Sequence, residues 1–325
     1  MRGRGHGKVI LLGEHAVVHG VPAIAVGLPD GASAETVERA ETPTLRVAPW
    51  GVVAVRGGDD PLAVAFDALL RAREAAGGGA RSASVDATVS LPGSAGLGSS
   101  AALGVAVLRA LDARDGIARD FDALQRIALA WERVFHGNPS GIDTAMAISG
   151  GLARYVRHPL AGERALMPIR SRAPITLVIG HSGQEGSTKA MVEQVARLKE
   201  RAPERFAQTL EALDALVQNG LRAIEEGELV ALGQLFDLAQ KLLSSWLVST
   251  DVLEAMCAEA RRAGALGAKL TGGGGGGCMI ALVPDPHADP KGTSAAVKQA
   301  LEAMGHRAFE ARIEATASAG SEERA

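Results

Sequence analysis

Residues 272–277 are six consecutive glycines, and a second glycine cluster, Gly93, Gly96 and Gly98, lies between an alternating segment and an apolar one. Glycine supplies 40 of the 325 residues, well above the ~7% average of globular chains, while aromatic residues make up only 3%. Glycine scattered through polar sequence would point to disorder. Concentrated at two points within apolar segments, it marks backbone held in torsions closed to other residues, or approached closely by something bulky. Gly77-Gly78-Gly79 reads as a plain surface turn.

The rest of the composition narrows the function classes. A chain of this length is expected to form two domains or one large α/β unit. With 34 Lys+Arg against 37 Asp+Glu the net charge is −3, which argues against a general nucleic-acid binder. No apolar run approaches the roughly 18 residues of a membrane span; Ala101–Leu108 stops at Arg109. The run Val9–Leu12 is too short for a signal-peptide core. Cys257 and Cys278 form no disulfide framework and lack metal-ligand spacing, so a reducing, cytoplasmic location is expected.

Lys8–Leu12, Val17–Val18 and Val21–Val26 read as strand, as do Thr44–Val55 and, with strict alternation, Ser84–Leu91. Pro61–Ala75 and Phe121–Phe135 have helical spacing, the latter with Leu124, Ile127, Ala128, Trp131 and Val134 on one stripe. Ala101–Leu111 predicts a buried helix. Arg, Pro and Ser accumulate between about 157 and 174, and the domain boundary is placed there: 1–165, 166–317 and a frayed tail, 318–325. Beyond it, Ile175–Ile179, Cys278–Val283 and Ala308–Ile313 read as strands. Thr188–Arg201, Ala207–Glu226, Leu229–Leu243 and Val252–Ala263 read as helices. The stripe Leu210, Leu213, Leu216 and Val217 suits core packing, with a homodimer face as the alternative.

Strand, glycine-rich loop and helix at 91–102 aim free backbone N–H groups and a helix dipole at one spot, which suits an anion. This is not the Walker pattern, since no lysine precedes the serines, nor the dinucleotide fingerprint, since the glycines fall at 93, 96 and 98. The same residues would suit a glycine turn with Ser99 capping the helix. Asp143, ahead of the segment Thr144–Ile148, reads equally as a helix cap or as an acid–base group. Lys8 is one of 7 lysines against 27 arginines; a compact ammonium reaches where a guanidinium fork does not fit. Glu132 flanks an apolar stripe, where a carboxylate is costly unless something cationic, such as an arginine, meets it. His15 and His19 have the spacing of a helical zinc pair, but a strand through Val17–Val18 would hold them ~13 Å apart. His19 stays unassigned.

Three ordered segments carry a resemblance. Leu91-Pro-Gly-Ser-Ala-Gly-Leu-Gly-Ser-Ser-Ala-Ala102 is similar to the ATP-binding motif of the GHMP kinases. Gly7-Lys-Val-Ile-Leu-Leu-Gly-Glu-His-Ala-Val-Val-His-Gly20 and Lys269-Leu-Thr-Gly-Gly-Gly-Gly-Gly-Gly-Cys-Met279 resemble the family's N- and C-terminal motifs, the latter packing behind the phosphate loop in the family. His136-Gly-Asn-Pro-Ser-Gly-Ile-Asp-Thr144 and the run from Glu14 to Ala23 resemble the mevalonate kinase branch in its short bacterial and archaeal form. Galactokinases usually follow Gly-Glu-His with Thr-Asp, absent here, and phosphomevalonate kinases tend to carry Tyr where this chain has His15.

The resemblance implies an α+β, two-domain GHMP fold: an N-terminal ribosomal-protein-S5-domain-2-like nucleotide-binding domain, a C-terminal ferredoxin-like domain, and an active site in the cleft. It implies ATP and Mg²⁺ as cofactors and mevalonate as the small-molecule partner, phosphorylated on its 5-hydroxyl. ATP would lie on Pro92, Gly93, Ser94, Ala95, Gly96, Leu97, Gly98, Ser99, Ser100, Ala101 and Ala102. Asp143 would be the general base, Lys8 its catalytic partner, Ser100 and Glu132 the metal ligands, and Glu14, His15 and Thr188 the substrate contacts. Thr188 would also join Ser187 in capping its helix. Another GHMP kinase, acting on the 3-hydroxyl of mevalonate, on phosphomevalonate or on a sugar, is the near alternative. A non-catalytic relative is expected to have lost Asp143, Lys8 or Glu132, all present here. A dinucleotide oxidoreductase is disfavoured by the glycine order.

Overall fold

In the computed structural model, which describes residues 1–325 except 38–41, 80–83, 92, 94, 138, 160–162, 288 and 317–325, strand β1 (Arg2–Leu12) begins six residues ahead of Lys8. Pro92, Ser94 and the tail 318–325 therefore lie outside the described residues. The extra length of β1 comes from Arg-Gly-Arg-Gly-His-Gly, with glycine at every second position. A Cβ on Gly3 would lie 2.1 Å from the Ala106 carbonyl oxygen, and one on Gly5 2.1 Å from that of Ala102. This face of the strand rests directly on helix backbone, and only glycine allows the approach. The segment after it corrects a sequence expectation: Ala16–His19 is a 3₁₀ turn, not strand, entered at His15 (φ 57°) and left at Gly20 (φ 93°). Ala16 and Val17 are buried in the turn, so packing overrides the strand preference of two valines.

The chain separates into two units, Met1–Val9 with Gly27–Gly150 and Ile10–Val26 with Gly151–Ala325. Strands β1 and β2 (Ala23–Thr36) both run from one unit into the other. Among the described residues, 10–26, 151–159 and 163–165, which the composition shift groups with the first domain, fall in the second unit. A shift in composition marks a change of surface, whereas hydrogen-bonded strands decide which segments pack together.

In the first unit, strands β3 (Thr44–Ala48), β4 (Val52–Val55) and β5 (Val85–Val89) join β2 in the order β4-β3-β5-β2, with β1 also on β2. Helix α1 (Pro61–Ala75) starts with Asp60 Oδ1 accepting from the N–H groups of Leu62 and Ala63 and with Pro at its first position, a strong start signal. Helix α2 (Ser99–Asp115) is buried on nearly every side and ends at the left-handed Gly116, which accounts for its continuous apolar sequence. Helix α3 (Phe121–His136) is capped by Asp120 and buries Leu124, Ile127, Ala128, Trp131 and Glu132. Helix α4 (Ile142–Ser149) begins after Gly141, φ 88°.

In the second unit, strand β6 (Leu152–Tyr155) pairs antiparallel with Ala23–Val26 of β2, and β7 (Leu166–Pro168) with β6. A second, antiparallel sheet has the order β11-β8-β10-β9, from β8 (Ile175–His181), β9 (Gly267–Thr271), β10 (Cys278–Val283) and β11 (Arg307–Ile313). Helices α5 (Thr188–Arg201), α6 (Pro203–Glu226), α7 (Leu229–Ser245), α8 (Asp251–Arg262) and α9 (Thr293–Ala303) complete it. Leu213, Leu216 and Val217 are buried and Leu210 half-buried, so the α6 stripe is core. Cys257 and Cys278 are both buried. Among the described residues, no helix is long and apolar enough to cross a membrane.

Candidate active site

The loop from β5 to α2 is held at its described positions by Leu91, Ala95 and Leu97, all buried. Gly96 and Gly98 take φ of 74° and 72°, and the Lys8 N–H donates to the Leu97 carbonyl at 2.8 Å. Gly98, not Ser99, occupies the cap position of α2, and no side chain caps the helix there. Ser99 is the first helical residue, so its reading as a cap is corrected. The first bond of the helix runs from Ala102 N–H to Gly98 O at 2.9 Å. The N–H groups of Ser99, Ser100 and Ala101 precede that bond and, with the helix dipole, favour an anion. A Cβ on Gly98 would lie 3.1 Å from Lys8 Cγ and 3.3 Å from Asp143 Oδ1. A side chain there would be strained at positive φ and would crowd the lysine and the carboxylate.

Four sequence-derived residues converge beside this loop. Lys8, 3% exposed, extends its Nζ to Asp143 Oδ1 at 3.1 Å and donates to the Gly96 carbonyl at 3.1 Å. Asp143 is the second residue of α4, whose cap position belongs to Gly141; it is therefore not a cap, and a third of its side chain is open to solvent. Ser100 Oγ donates to Glu132 Oε1 at 2.7 Å. Glu132 is buried, and its nearest basic group is His136 Nε2 on the next turn, 3.6 Å from Oε2; no arginine bridge to it occurs among the described contacts.

Burial, and then the Asp143 carboxylate, push the Glu132 carboxyl from its ordinary 4.5 up to about 7, against the Ser100 hydrogen bond and the Lys8 charge. Such a group is poised to accept a cation in place of its proton. Among the described residues no cluster of three or more His, Cys, Asp or Glu could hold a metal by itself. The protein offers a carboxylate and a hydroxyl, both hard oxygen donors, and this set fits Mg²⁺, which keeps waters and shares phosphate oxygens.

A pH dependence follows. Between about 4.5 and 7 the folded metal-free chain keeps a Glu132 proton that the unfolded chain has released, so the contribution of this group to stability falls as pH rises through the window. Buried neutral His15 acts in the opposite sense between about 4 and 6.5, so the expected result is a difference: in thermal melts without metal, the stability of wild type relative to Glu132→Gln falls as pH rises from about 4.5 to 7. Mg²⁺ affinity is expected to run the other way, weakening by about tenfold per pH unit below pH 7.

In the second unit, His15 and Thr188 meet at one glycine. His15 Nε2–H donates to the Gly273 carbonyl at 2.8 Å, while a Cβ on Gly273 would lie 2.7 Å from Thr188 Oγ1. Burial is the main force holding the His15 ring down at about 4, so the imidazole is neutral at physiological pH and its Nδ1 is an acceptor. Thr188 opens α5 and Ser187 caps it, accepting from the Ala190 N–H at 3.2 Å. His19 turns elsewhere, edge-on to Phe206 at 4.9 Å. The strand that was to separate the two histidines is absent, yet they have different partners. Glu14, 1% exposed, takes the Lys269 ammonium, which also donates to the Leu270 carbonyl at 2.7 Å.

Lys269 is the residue that sequence reasoning passed over. It stood in the quoted C-terminal motif without a role, although a lysine amid an apolar strand in an arginine-rich chain already asks for a buried partner. The six-glycine run beside it takes φ between 68° and 131° at 272, 274, 275, 276 and 277. The backbone there is tied down by Gly275 N–H on Val248 O and Gly277 N–H on Gln184 O, each at 2.8 Å. The glycines thus form a fixed turn.

The models of the GHMP kinases N terminal domain and the GHMP kinases C terminal domain match residues 62–151 and 221–307. The mevalonate kinase of Aeropyrum pernix is 32% identical over 307 residues, covering 92% of this chain and 93% of its own. That of Methanothermobacter thermautotrophicus is 34% identical over 279 residues, covering 85% and 88%. Among solved structures, L. major mevalonate kinase in complex with R-mevalonate aligns with a TM-score of 0.81 at 28% identity, covering 98% of this chain and 97% of that one. Identity of this level sustained from end to end, on the two-domain α+β fold expected from the motifs, places the chain in the mevalonate kinase family of the GHMP kinases.

Proposed function

We propose that this chain transfers the γ-phosphoryl group of ATP to the 5-hydroxyl of (R)-mevalonate, giving 5-phosphomevalonate and ADP. The observation that carries the reading is the Lys8–Asp143 pair at 3.1 Å, set beside the glycine-turned start of α2. The N–H groups of Ser99 to Ala101 hold phosphate oxygens and pre-pay the cost of orienting charge. With Oδ1 engaged by Lys8, Asp143 takes the hydroxyl proton on Oδ2 as the oxygen attacks phosphorus and the ADP oxygen leaves. The Lys8 ammonium faces both the carboxylate and the reacting oxygen. Ser100 and Glu132 would hold Mg²⁺, which when bound neutralises phosphate charge. Neutral His15 offers Nδ1, and Thr188 its hydroxyl, as contacts for the acceptor. Glu14 serves the acceptor site from within, as the buried anchor of the turn that carries His15. A chain with only two cysteines, both buried, suits a reducing compartment, and a cytoplasmic location is proposed on that ground.

Coupled ADP release tests the reading, with (R)-mevalonate, phosphomevalonate and galactose as acceptors and NMR of the product to locate the phosphate. Turnover on mevalonate alone, with the ester on the 5-oxygen, is expected. A faster acceptor elsewhere in the panel, or an ester on the 3-oxygen, would assign the chain to a different reaction of the same fold.

A further inference from the structure

Helix α3 carries a second group aimed at the Ser100–Glu132 pair. Trp131 is fully buried, and its indole Nε1–H donates to Ser100 Oγ at 3.0 Å. Ser100 Oγ in turn donates its own hydrogen to Glu132 Oε1 at 2.7 Å. A hydroxyl has one hydrogen and two lone pairs. Here the hydrogen is committed to the carboxylate and one lone pair to the indole, so a single lone pair in a fixed direction remains. The ring itself cannot drift: a Cβ on Gly104 of α2 would lie 2.9 Å from Trp131 Cγ, and Phe135 packs at 6.0 Å between ring centres.

We propose that Trp131 is a positioning residue for the metal site: its indole N–H locks the Ser100 hydroxyl so that its remaining lone pair is aimed at the ion shared with Glu132. The proposal rests on the reading of Ser100 and Glu132 as Mg²⁺ ligands. Without the indole hydrogen bond the hydroxyl can rotate, and the free lone pair is no longer held in one direction. A ring that served packing alone would be replaced by phenylalanine without consequence for the metal.

The test is Mn²⁺ binding in the presence of ADP, followed by the electron paramagnetic resonance signal of the free ion, in wild type, Trp131→Phe and Glu132→Gln. Trp131→Phe is expected to bind Mn²⁺ about tenfold more weakly, the usual scale for removing an outer partner of a ligand, with an unchanged KM for mevalonate. Wild-type Mn²⁺ affinity in Trp131→Phe, with Glu132→Gln impaired, overturns the proposal and leaves the metal reading standing. Wild-type affinity in Glu132→Gln overturns both. Should Trp131→Phe not fold, ¹⁵N-indole spectra of the wild-type protein decide. One indole N–H signal is expected to move both on Ser100→Ala and on adding Mg²⁺ with ADP, and the absence of such a signal refutes the proposal.

Discussion

Asp143→Asn is expected to lower kcat by roughly 10²–10⁴-fold, with ATP affinity nearly unchanged. The substitution keeps the size of the side chain beside Gly98, and the amide oxygen can still accept from Lys8, so the phosphate loop stays as it is. What disappears is the only feature an amide cannot copy, an oxygen able to take the proton of the acceptor hydroxyl. The two quantities are separated by measuring single-turnover phosphoryl transfer and nucleotide binding on the same preparation. A loose transition state asks less of its base, which places the result toward the lower end of the range without removing it. Turnover close to wild type would take Asp143 out of the proton transfer.

Lys269→Met is expected to cost about 3–5 kcal/mol of stability, the usual result of removing one partner from a buried ion pair. Lys269 and Glu14 have side-chain exposures of 0% and 1%, so no solvent screening reduces the effect. Methionine fills much of the volume, and Lys269 also lies over the Phe236 ring at 5.9 Å, so the loss is mainly that of charge rather than of packing. Urea denaturation of wild type, Lys269→Met and the Lys269→Met/Glu14→Gln double variant checks it. Lys269→Met alone should be far less stable than wild type, while adding Glu14→Gln should restore part of the loss, because the stranded carboxylate is gone. Equal stability of wild type and Lys269→Met would mean that Glu14 is neutralised some other way.

The site residues of the first unit were more legible than its strands. Lys8 and Glu132 stand out by charge, in a glycine-flanked strand end and beside an apolar stripe, whereas the roles expected of Ser100 and Asp143 come from the family resemblance. Their convergence was not legible, because contacts such as Lys8 with Asp143 join residues far apart in sequence. The start of β1 was missed because its period of two is written in glycine, and glycine is ordinarily read as a breaker. Val17–Val18 misled in the opposite direction: two residues carry a weak strand preference that a buried turn overrides.

Strands β6, β7 and β9 and helix α9 went unread for a related reason. The first three span only 152–155, 166–168 and 267–271, too short to establish a period, and β9 is buried at every position, so it shows no alternation. The α9 segment opens after Gly292 with no side-chain cap, leaving no start signal in the sequence. The domain division was blurred because β1 and β2 belong to both units, which no local change of composition records.

The most direct test is a crystal complex with (R)-mevalonate and a nonhydrolysable ATP analogue. The account predicts β- and γ-phosphate oxygens on the N–H groups of Ser99 to Ala101, and the 5-hydroxyl about 2.6–3.2 Å from the Asp143 carboxylate. A triphosphate seated away from the start of α2, or an acceptor hydroxyl out of hydrogen-bond reach of Asp143 with the γ-phosphate in place, would contradict it.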